Sequence, residues 1–199
     1  ALLVTVFGVR TVIHQRRMGE TAWRAPPNRA ARVGDGLFTI GVLAATAGPA
    51  LDLADVVEPA TAFDRFSVHV VGVALLSVGG ALAVLAQVHM GESWRAGIDV
   101  SGSYELVCHG LFRVVRNPFY LGIILAVAGV VLMVPSVVTP LGWIAVVLGC
   151  EIDVRLVEEP HLSKALGPRY REYAAVTGRF LPGLGRGSRS STWRGRRRG

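Results

Sequence analysis

The sequence predicts an all-α integral membrane protein with about five transmembrane helices, the last two of which form a short C-terminal helical hairpin. Of the 199 residues 51% are apolar, and they occur in long blocks instead of alternating with polar residues. Such blocks are typical of membrane spans, which need about 20 apolar residues each. Charged or proline-containing segments separate the blocks, so each block is predicted to form its own helix.

The lengths of the blocks predict which of them cross the membrane alone. The blocks are Ala1–Ile13, Gly34–Leu51, Phe66–Val88, Tyr120–Val134 and Val137–Cys150. The second and third are long enough to span, and we expect the first to be the remaining part of a span. Each of the last two covers roughly 20–24 Å, which is less than the ~30 Å hydrocarbon core. Two prolines in "VPSVVTP" between them favour a tight hairpin, and one long kinked helix is the alternative.

The distribution of arginine predicts the orientation. Residues 14–32 carry five arginines, whereas residues 52–65 are acidic and carry Arg65 alone. The positive-inside rule places the first of these segments in the cytoplasm and the second outside. Residues 91–118 and the chain after Cys150 then face the cytoplasm. Topology and contact with membrane lipids therefore account for the net charge of +7 without a nucleic-acid partner.

These features divide the chain into three parts. Residues 1–89 are predicted to form N-terminal transmembrane helices with a basic cytosolic loop, and residues 90–182 to form a polar loop, the hairpin and C-terminal helices. Residues 183–199 are rich in Gly, Ser and Arg and have too little apolar content to fold, so we expect a disordered tail.

Cysteine, histidine and glycine patterns predict structural roles. Cys108 and Cys150 both fall on the reducing side in this topology, so we expect no disulfide. The spacing of cysteines and histidines matches no C-x-x-C or H-E-x-x-H motif, and no metal site is predicted. Gly79 and Gly80 lie inside an apolar helix, where they favour close helix packing over phosphate binding.

The helix after the hairpin carries a charged pattern. Glu151, Arg155 and Glu159 are spaced four residues apart, which lines them up on one helix face. An exposed ion-pair ladder explains this spacing alone, but Pro160 disrupts the helix directly after two carboxylates. Further on, Gly167 is suited to ending a helix and Pro168 to beginning the next one.

Three motifs carry a resemblance to a known family. They are "G-x-F-R-x-x-R-N-P-x-Y-x-G" from Gly110, "R-x-x-E-E-x-x-L-x-x-x-x-G-x-x-Y-x-x-Y" from Arg155, and "R-F-L-P" up to Pro182. In combination they resemble the isoprenylcysteine carboxyl methyltransferase family, including its bacterial relatives and the related phospholipid amine methyltransferases. Asn117 stands where that family usually has histidine, and Phe112 where it usually has tyrosine.

The resemblance implies that S-adenosylmethionine is the methyl donor, bound in a pocket at the cytosolic membrane surface. Glutamates would accept hydrogen bonds from its hydroxyls or ammonium group, an arginine would pair with its carboxylate, and aromatic side chains would line its adenine. The cofactor-binding residues implied in this way are Val107, His109, Gly110, Phe112, Arg116, Asn117, Pro118, Tyr120, Leu121, Arg155, Glu158 and Glu159.

The resemblance also implies a lipophilic, membrane-borne methyl acceptor, either a carboxylate or an amine. Arg116 or Arg95 would hold a carboxylate acceptor, and Asn117 would assist by hydrogen bonding. An amine acceptor would have to lose a proton first, with Glu159 or His109 as the base. The expected location is the inner membrane of a bacterium, with the active site facing the cytoplasm.

Two other classes of function fit the same pattern. A sterol-type membrane reductase has similar C-terminal architecture and would use a nicotinamide cofactor. A non-catalytic membrane scaffold would bind neither cofactor and would tolerate loss of the arginines and glutamates. The sequence leaves the oligomeric state open.

The orientation can be tested by cysteine labelling, after Cys108 and Cys150 have been replaced by alanine. We expect a cysteine at position 58 to react with a membrane-impermeant maleimide in intact cells, because that loop lies outside. A cysteine at position 188 should react only after permeabilisation. The reverse pattern would show that the orientation is inverted.

Overall fold

The computed structural model describes residues 28–54, 65–90, 106–134 and 136–187, and within these ranges the chain is all-helical apart from turns and one isolated bridge. Four helices form the body: α1 (Arg29–Leu53), α2 (Phe66–Met90), α3 (Pro118–Met133) and α4 (Val138–Ile152). They correspond to the second to fifth apolar blocks, except that Val134 and Val137 lie just outside the helices. The first block lies outside the described residues, as does Arg95.

The two long helices meet the length requirement for crossing a membrane. By length and composition, two segments could cross a membrane: Arg29–Leu51 of α1 and Phe66–Met90 of α2. Helix α3 is also apolar but is shorter. The side chain of Asn28 begins α1 by accepting a hydrogen bond from the Ala31 N–H at 2.9 Å. Ile40 on α1 and Val71 on α2 are among the exposed side chains, so apolar surface faces outward from both helices.

The predicted hairpin between α3 and α4 is confirmed, and the single kinked helix is not formed. The chain turns between Val134 and Val138, where the buried Thr139 hydroxyl donates to the Val134 carbonyl at 2.9 Å. Trp143 on α4 donates its indole N–H to the Ile124 carbonyl on α3 at 3.0 Å. Helix α4 therefore runs back along α3.

Glycines at seven-residue spacing bring the helices together in pairs. Helix α2 packs against α3 and helix α1 against α4, both antiparallel. The glycines at these two contacts are Gly72, Gly79, Gly122 and Gly129 for the first pair, and Gly34, Gly41, Gly142 and Gly149 for the second. A seven-residue repeat of small residues keeps one stripe facing the partner helix and lets the backbones approach closely.

The predicted packing role of the glycine pair on α2 is confirmed, since Gly79 and Gly80 are both buried. A Cβ atom at Gly79 would lie 2.5 Å from the Gly122 carbonyl oxygen, well inside van der Waals contact. The same applies in the other direction, because a Cβ atom at Gly122 would lie 2.6 Å from the Ala83 nitrogen. Any side chain at these positions forces α2 and α3 apart.

After α4 the helix continues as a π-helical segment, Asp153–Glu158, in which the Glu159 N–H bonds to the Val154 carbonyl. Pro160 follows in the first turn of α5 (Glu159–Leu166). The widened turn accommodates a proline that lacks an N–H and crowds the preceding turn. The irregular part of the helix therefore lies at residues 153–158, before Pro160, and not after the two glutamates as the sequence predicts.

The end of the described chain folds back on the start of the hairpin. Gly167, with φ 56°, ends α5, and Pro168 begins α6 (Pro168–Val176), as the sequence predicts. Beyond α6, Gly187 donates to the Ala174 carbonyl at 2.8 Å. Residues 183–187, which belong to the predicted tail, thus make backbone hydrogen bonds through Leu184 and Gly187 to the preceding chain.

We predict that Gly79→Val lowers stability by about 1–3 kcal/mol, because the added side chain overpacks the contact between α2 and α3. The measurement is the midpoint of thermal unfolding in non-ionic detergent. Ala81→Val is the matched control, since Ala81 is exposed on the same helix. Equal midpoints for the two variants would contradict the close packing.

Candidate functional site

Two arginines donate hydrogen bonds to one carboxylate at the end of the helical body. Glu159, at the start of α5, receives hydrogen bonds from Arg116 at 2.6 and 3.2 Å and from Arg179 at 2.8 and 2.7 Å. These three residues, which we call the arginine–glutamate cluster, come from parts of the sequence up to 63 residues apart. The cluster joins the loop before α3, the helix after α4 and the C-terminal segment.

Arg116 uses all its donors inside the protein. Its side chain is 3% exposed. Besides Glu159, it donates to the backbone carbonyls of Ala174, Thr177 and Gly185 at 3.0, 2.5 and 2.9 Å. A guanidinium has five N–H groups, and these bonds account for all five. Binding of a reactant by Arg116 would therefore require it to give up one of these bonds.

The backbone repeats the connection that the side chains make. The Arg116 N–H donates to the Gly178 carbonyl at 2.8 Å, and the Asn117 N–H donates to the Arg179 carbonyl at 3.0 Å. The Asn117 side-chain amide reaches the same Arg179 carbonyl at 3.3 Å. Val115 and Gly178 form a short parallel bridge. Asn117 thus binds the C-terminal segment in this structure.

The electrostatics of Glu159 follow from its two partners. Burial raises the pKa of this carboxyl, but the hydrogen bonds from Arg179 and Arg116 outweigh burial and hold the pKa below its usual 4.5. The bond to Glu159 in turn raises the pKa of Arg179. Glu159 is therefore ionised at neutral pH and is a weak proton acceptor.

The neighbouring glutamate has a different environment. Glu158 points toward α3, where it accepts a hydrogen bond from the Tyr120 hydroxyl at 2.8 Å on one oxygen. Its second oxygen has no donor among the residues that the structure describes. Burial raises the pKa of Glu158, and the hydrogen bond from Tyr120 offsets only part of this effect. Of the two glutamates, Glu158 therefore accepts fewer hydrogen bonds from the described residues.

The loop before α3 is shaped by Gly110 and a short 3₁₀ turn, Gly110–Arg113. Gly110 has φ 55°, and a Cβ atom there would lie 2.9 Å from the His89 ring at the end of α2. On the other side, the Tyr173 hydroxyl donates to the Phe112 carbonyl at 2.5 Å. The loop is therefore held between α2 and α6.

The structure brings part of the predicted site together. Arg116, Asn117 and Glu159 belong to one hydrogen-bonded network, and Tyr120 bonds to Glu158. The remaining predicted residues of the loop and of the start of α3 lie beside this network: Val107 and Leu121 are half-buried, Phe112 and Pro118 are buried, and His109 and Gly110 are exposed.

Arg155 lies on an exposed face. Its side chain is 56% exposed and pairs with Glu151, as the four-residue spacing predicts. Glu159, the third member of the predicted ladder, pairs instead with Arg116 and Arg179. In this arrangement Arg155 makes no direct bond to the arginine–glutamate cluster in the part of the chain that the structure describes.

Sequence reasoning missed Arg179 and Tyr173 as site residues. Both lie in motifs that carry the resemblance, Arg179 in "R-F-L-P" and Tyr173 in the tyrosine pair. Their spacing along the chain contains no signal that they fold against the loop at Phe112 and Arg116. These two motifs lie far along the chain from that loop. They predict a contact with the loop only if all of these segments are assumed to form one site.

A comparison with known families identifies the class of protein. The profile of the phospholipid methyltransferase family matches residues 67–169, which run from the start of α2 to the start of α6. The match covers just over half of the chain, and the chain belongs to this family. No curated protein sequence matches it significantly.

Family membership confirms the resemblance at a coarse level and makes the chain a member of a membrane methyltransferase family. It does not favour the reductase or the scaffold. Together with the two long apolar helices, it supports association with a membrane.

We predict that Arg116→Lys destabilises the fold by roughly 3 kcal/mol, because lysine cannot replace five buried guanidinium hydrogen bonds. Hydrogen exchange should increase first in residues 174–185, because Arg116 binds three backbone carbonyls in this range. The measurement is thermal unfolding together with hydrogen exchange by mass spectrometry. Arg113→Lys, on the exposed side of the same loop, is the control. Normal stability with a loss of methyl transfer would instead indicate direct binding of a reactant.

Proposed function

We propose that the protein is an S-adenosylmethionine-dependent methyltransferase that acts on a lipophilic, membrane-borne carboxylate or amine. The observation that carries this proposal is the contrast between two adjacent glutamates. Glu159 is bound by two arginines, whereas among the described residues Glu158 receives a hydrogen bond from Tyr120 alone, on one oxygen. A partly buried carboxylate whose second oxygen has no donor in the described chain is suited to binding hydroxyl or ammonium groups.

The chemistry of the residues present fits this donor. S-adenosylmethionine carries hydroxyl and ammonium groups that require acceptors, a carboxylate that requires a cation, and an adenine that requires apolar surface. Glu158 supplies an acceptor, and Tyr120 and Leu121 supply partly exposed apolar surface beside it. Val107, His109 and Gly110 lie in non-helical or 3₁₀ backbone whose polar groups are partly free of helical hydrogen bonds.

In this proposal the protein contributes alignment and exclusion of water. The bound donor would supply a methyl group on a sulfonium, which is activated for displacement without covalent help from the protein. Orientation of the two reactants can contribute several kcal/mol to such a reaction. The arginine–glutamate cluster contributes indirectly, because it holds the loop and α5, which carry the residues proposed to bind the donor.

The nature of the acceptor decides whether a base is required. A carboxylate acceptor is already ionised at neutral pH and needs none. An amine acceptor has to lose a proton, and the lowered pKa of Glu159 makes it a poor base for that step. The exposed His109 remains the candidate base for an amine.

We propose that the helical body is inserted in the membrane and that the arginine–glutamate cluster lies at its cytoplasmic surface. The exposed apolar residues of α1 and α2 support insertion, since water would not favour them. The antiparallel packing places the cluster at one end of the hairpin, next to the ends of α3 and α4 that lie away from the turn. A bacterial inner membrane fits the arginine distribution. A membrane-borne acceptor would then reach the site from the lipid.

Calorimetric titration of the purified protein in non-ionic detergent tests the proposal directly. We expect S-adenosylmethionine to bind and NADPH not to bind. Glu158→Gln should weaken binding of the donor at least tenfold, which corresponds to about 1.4 kcal/mol, through loss of a charged hydrogen bond. Glu172→Gln is the control, because Glu172 is exposed on α6.

Binding of NADPH without binding of S-adenosylmethionine would support a reductase, and binding of neither would support a scaffold. If the donor binds equally well to wild type and Glu158→Gln, the proposed role of Glu158 is wrong. A screen of lipid extracts for transfer of a labelled methyl group then identifies the acceptor class.

A further inference from the structure

The two arginines that bind Glu159 differ in how many donors they have left. Arg116 uses all five N–H groups within the protein, as described above. Arg179 uses its Nε and one Nη2 hydrogen on Glu159. The two hydrogens on Nη1 and the second hydrogen on Nη2 have no acceptor among the residues that the structure describes. Arg179 therefore presents an open guanidinium edge.

The position of this edge is fixed by the backbone around it. The Arg179 N–H donates to the Leu184 carbonyl at 2.8 Å, and its carbonyl accepts from the Asn117 N–H at 3.0 Å. The side chain is only 18% exposed. Gly185, which has φ 69°, packs closely beside this residue, since a Cβ atom there would lie 3.1 Å from the Arg179 Cβ atom. The guanidinium is held in place before any ligand binds.

The local charges leave this edge positive. Glu159 is shared by two arginines, so it cannot neutralise both. Glu151 is the other carboxylate whose charge acts on Arg179, but Arg155 already pairs with it. Among the described residues, Arg116, Arg155 and Arg179 thus share the carboxylates of Glu151 and Glu159, while Glu158 points toward Tyr120 instead. Arginine donors in a planar fork match the two oxygens of a carboxylate or phosphate.

We infer that the open edge of Arg179 binds an oxyanion of the reactants, either the carboxylate of the methyl donor or the phosphate of a lipid acceptor. This inference rests on the proposed function and assigns to Arg179 the anion-binding role that the sequence suggests for Arg116. In it, Arg116 is a positioning residue and Arg179 contacts a reactant. Both sources present the same chemistry to the guanidinium, two oxygens that share a negative charge.

The test removes the anion from each ligand and the guanidinium from the protein. In one arm, calorimetry compares S-adenosylmethionine with its decarboxylated form, in wild type and in Arg179→Gln. In the other arm, it compares dihexanoyl phosphatidic acid with dihexanoylglycerol in the same two proteins. Arg169→Gln is the control, because it removes an equal charge from an exposed position on α6.

We expect loss of the anion to weaken binding at least tenfold in wild type and in Arg169→Gln, but less than twofold in Arg179→Gln. If this smaller effect of anion removal in Arg179→Gln is seen in the first arm, the ligand of Arg179 is the donor carboxylate. If it is seen in the second arm, the ligand is the lipid phosphate. If Arg179 has only a structural role, Arg179→Gln should weaken the binding of both ligands of a pair by the same factor. The same anion dependence in wild type and Arg179→Gln in both arms would overturn the inference.

Two further comparisons keep the result interpretable. If Arg179→Gln does not fold, Arg179→Lys takes its place, because lysine retains one ion pair with Glu159 but loses the open planar edge. If wild type does not bind S-adenosylmethionine, the proposed function fails, whereas the phosphate arm still tests the anion site at Arg179.

Discussion

The polar end of this protein depends on one interaction, the pairing of the Glu159 carboxylate with Arg116 and Arg179. It connects the loop before α3, the start of α5 and the segment after α6 at a single point. A buried charge is costly unless it is paired and hydrogen-bonded, and Arg116 satisfies this condition with five bonds. Removing Glu159 would leave both guanidiniums without their shared carboxylate, so the cluster depends most on this residue.

The helical body is held by contacts of a different kind. Glycines spaced by seven residues let α1 approach α4 and let α2 approach α3. Such packing depends on close backbone contact and not on burial of large side chains, which suits helices whose outer faces are apolar. The protein thus combines a body joined by small residues with a polar end joined by ion pairs.

A π-helical segment at the boundary between these regions separates the roles of two adjacent glutamates. Glu158 faces α3 and Tyr120, and Glu159 faces the two arginines. Such irregular turns occur often at functional sites, and here Pro160 directly follows the segment. One glutamate is therefore used for structure, which leaves the other for the proposed binding of the donor.

The sequence by itself determined the four body helices to within about five residues, because unbroken apolar blocks and the prolines and charges that bound them are local features. It also determined the hairpin, the packing role of Gly79 and, at a coarse level, the methyltransferase family. The partners of Arg116 were decided only by the tertiary structure. Three of them are backbone carbonyls, which every residue has, so no pattern in the sequence marks Ala174, Thr177 or Gly185 as acceptors. Likewise, Arg179 meets Glu159 only because the chain folds back after α6, and such a contact between distant segments is a property of the fold and not of local sequence.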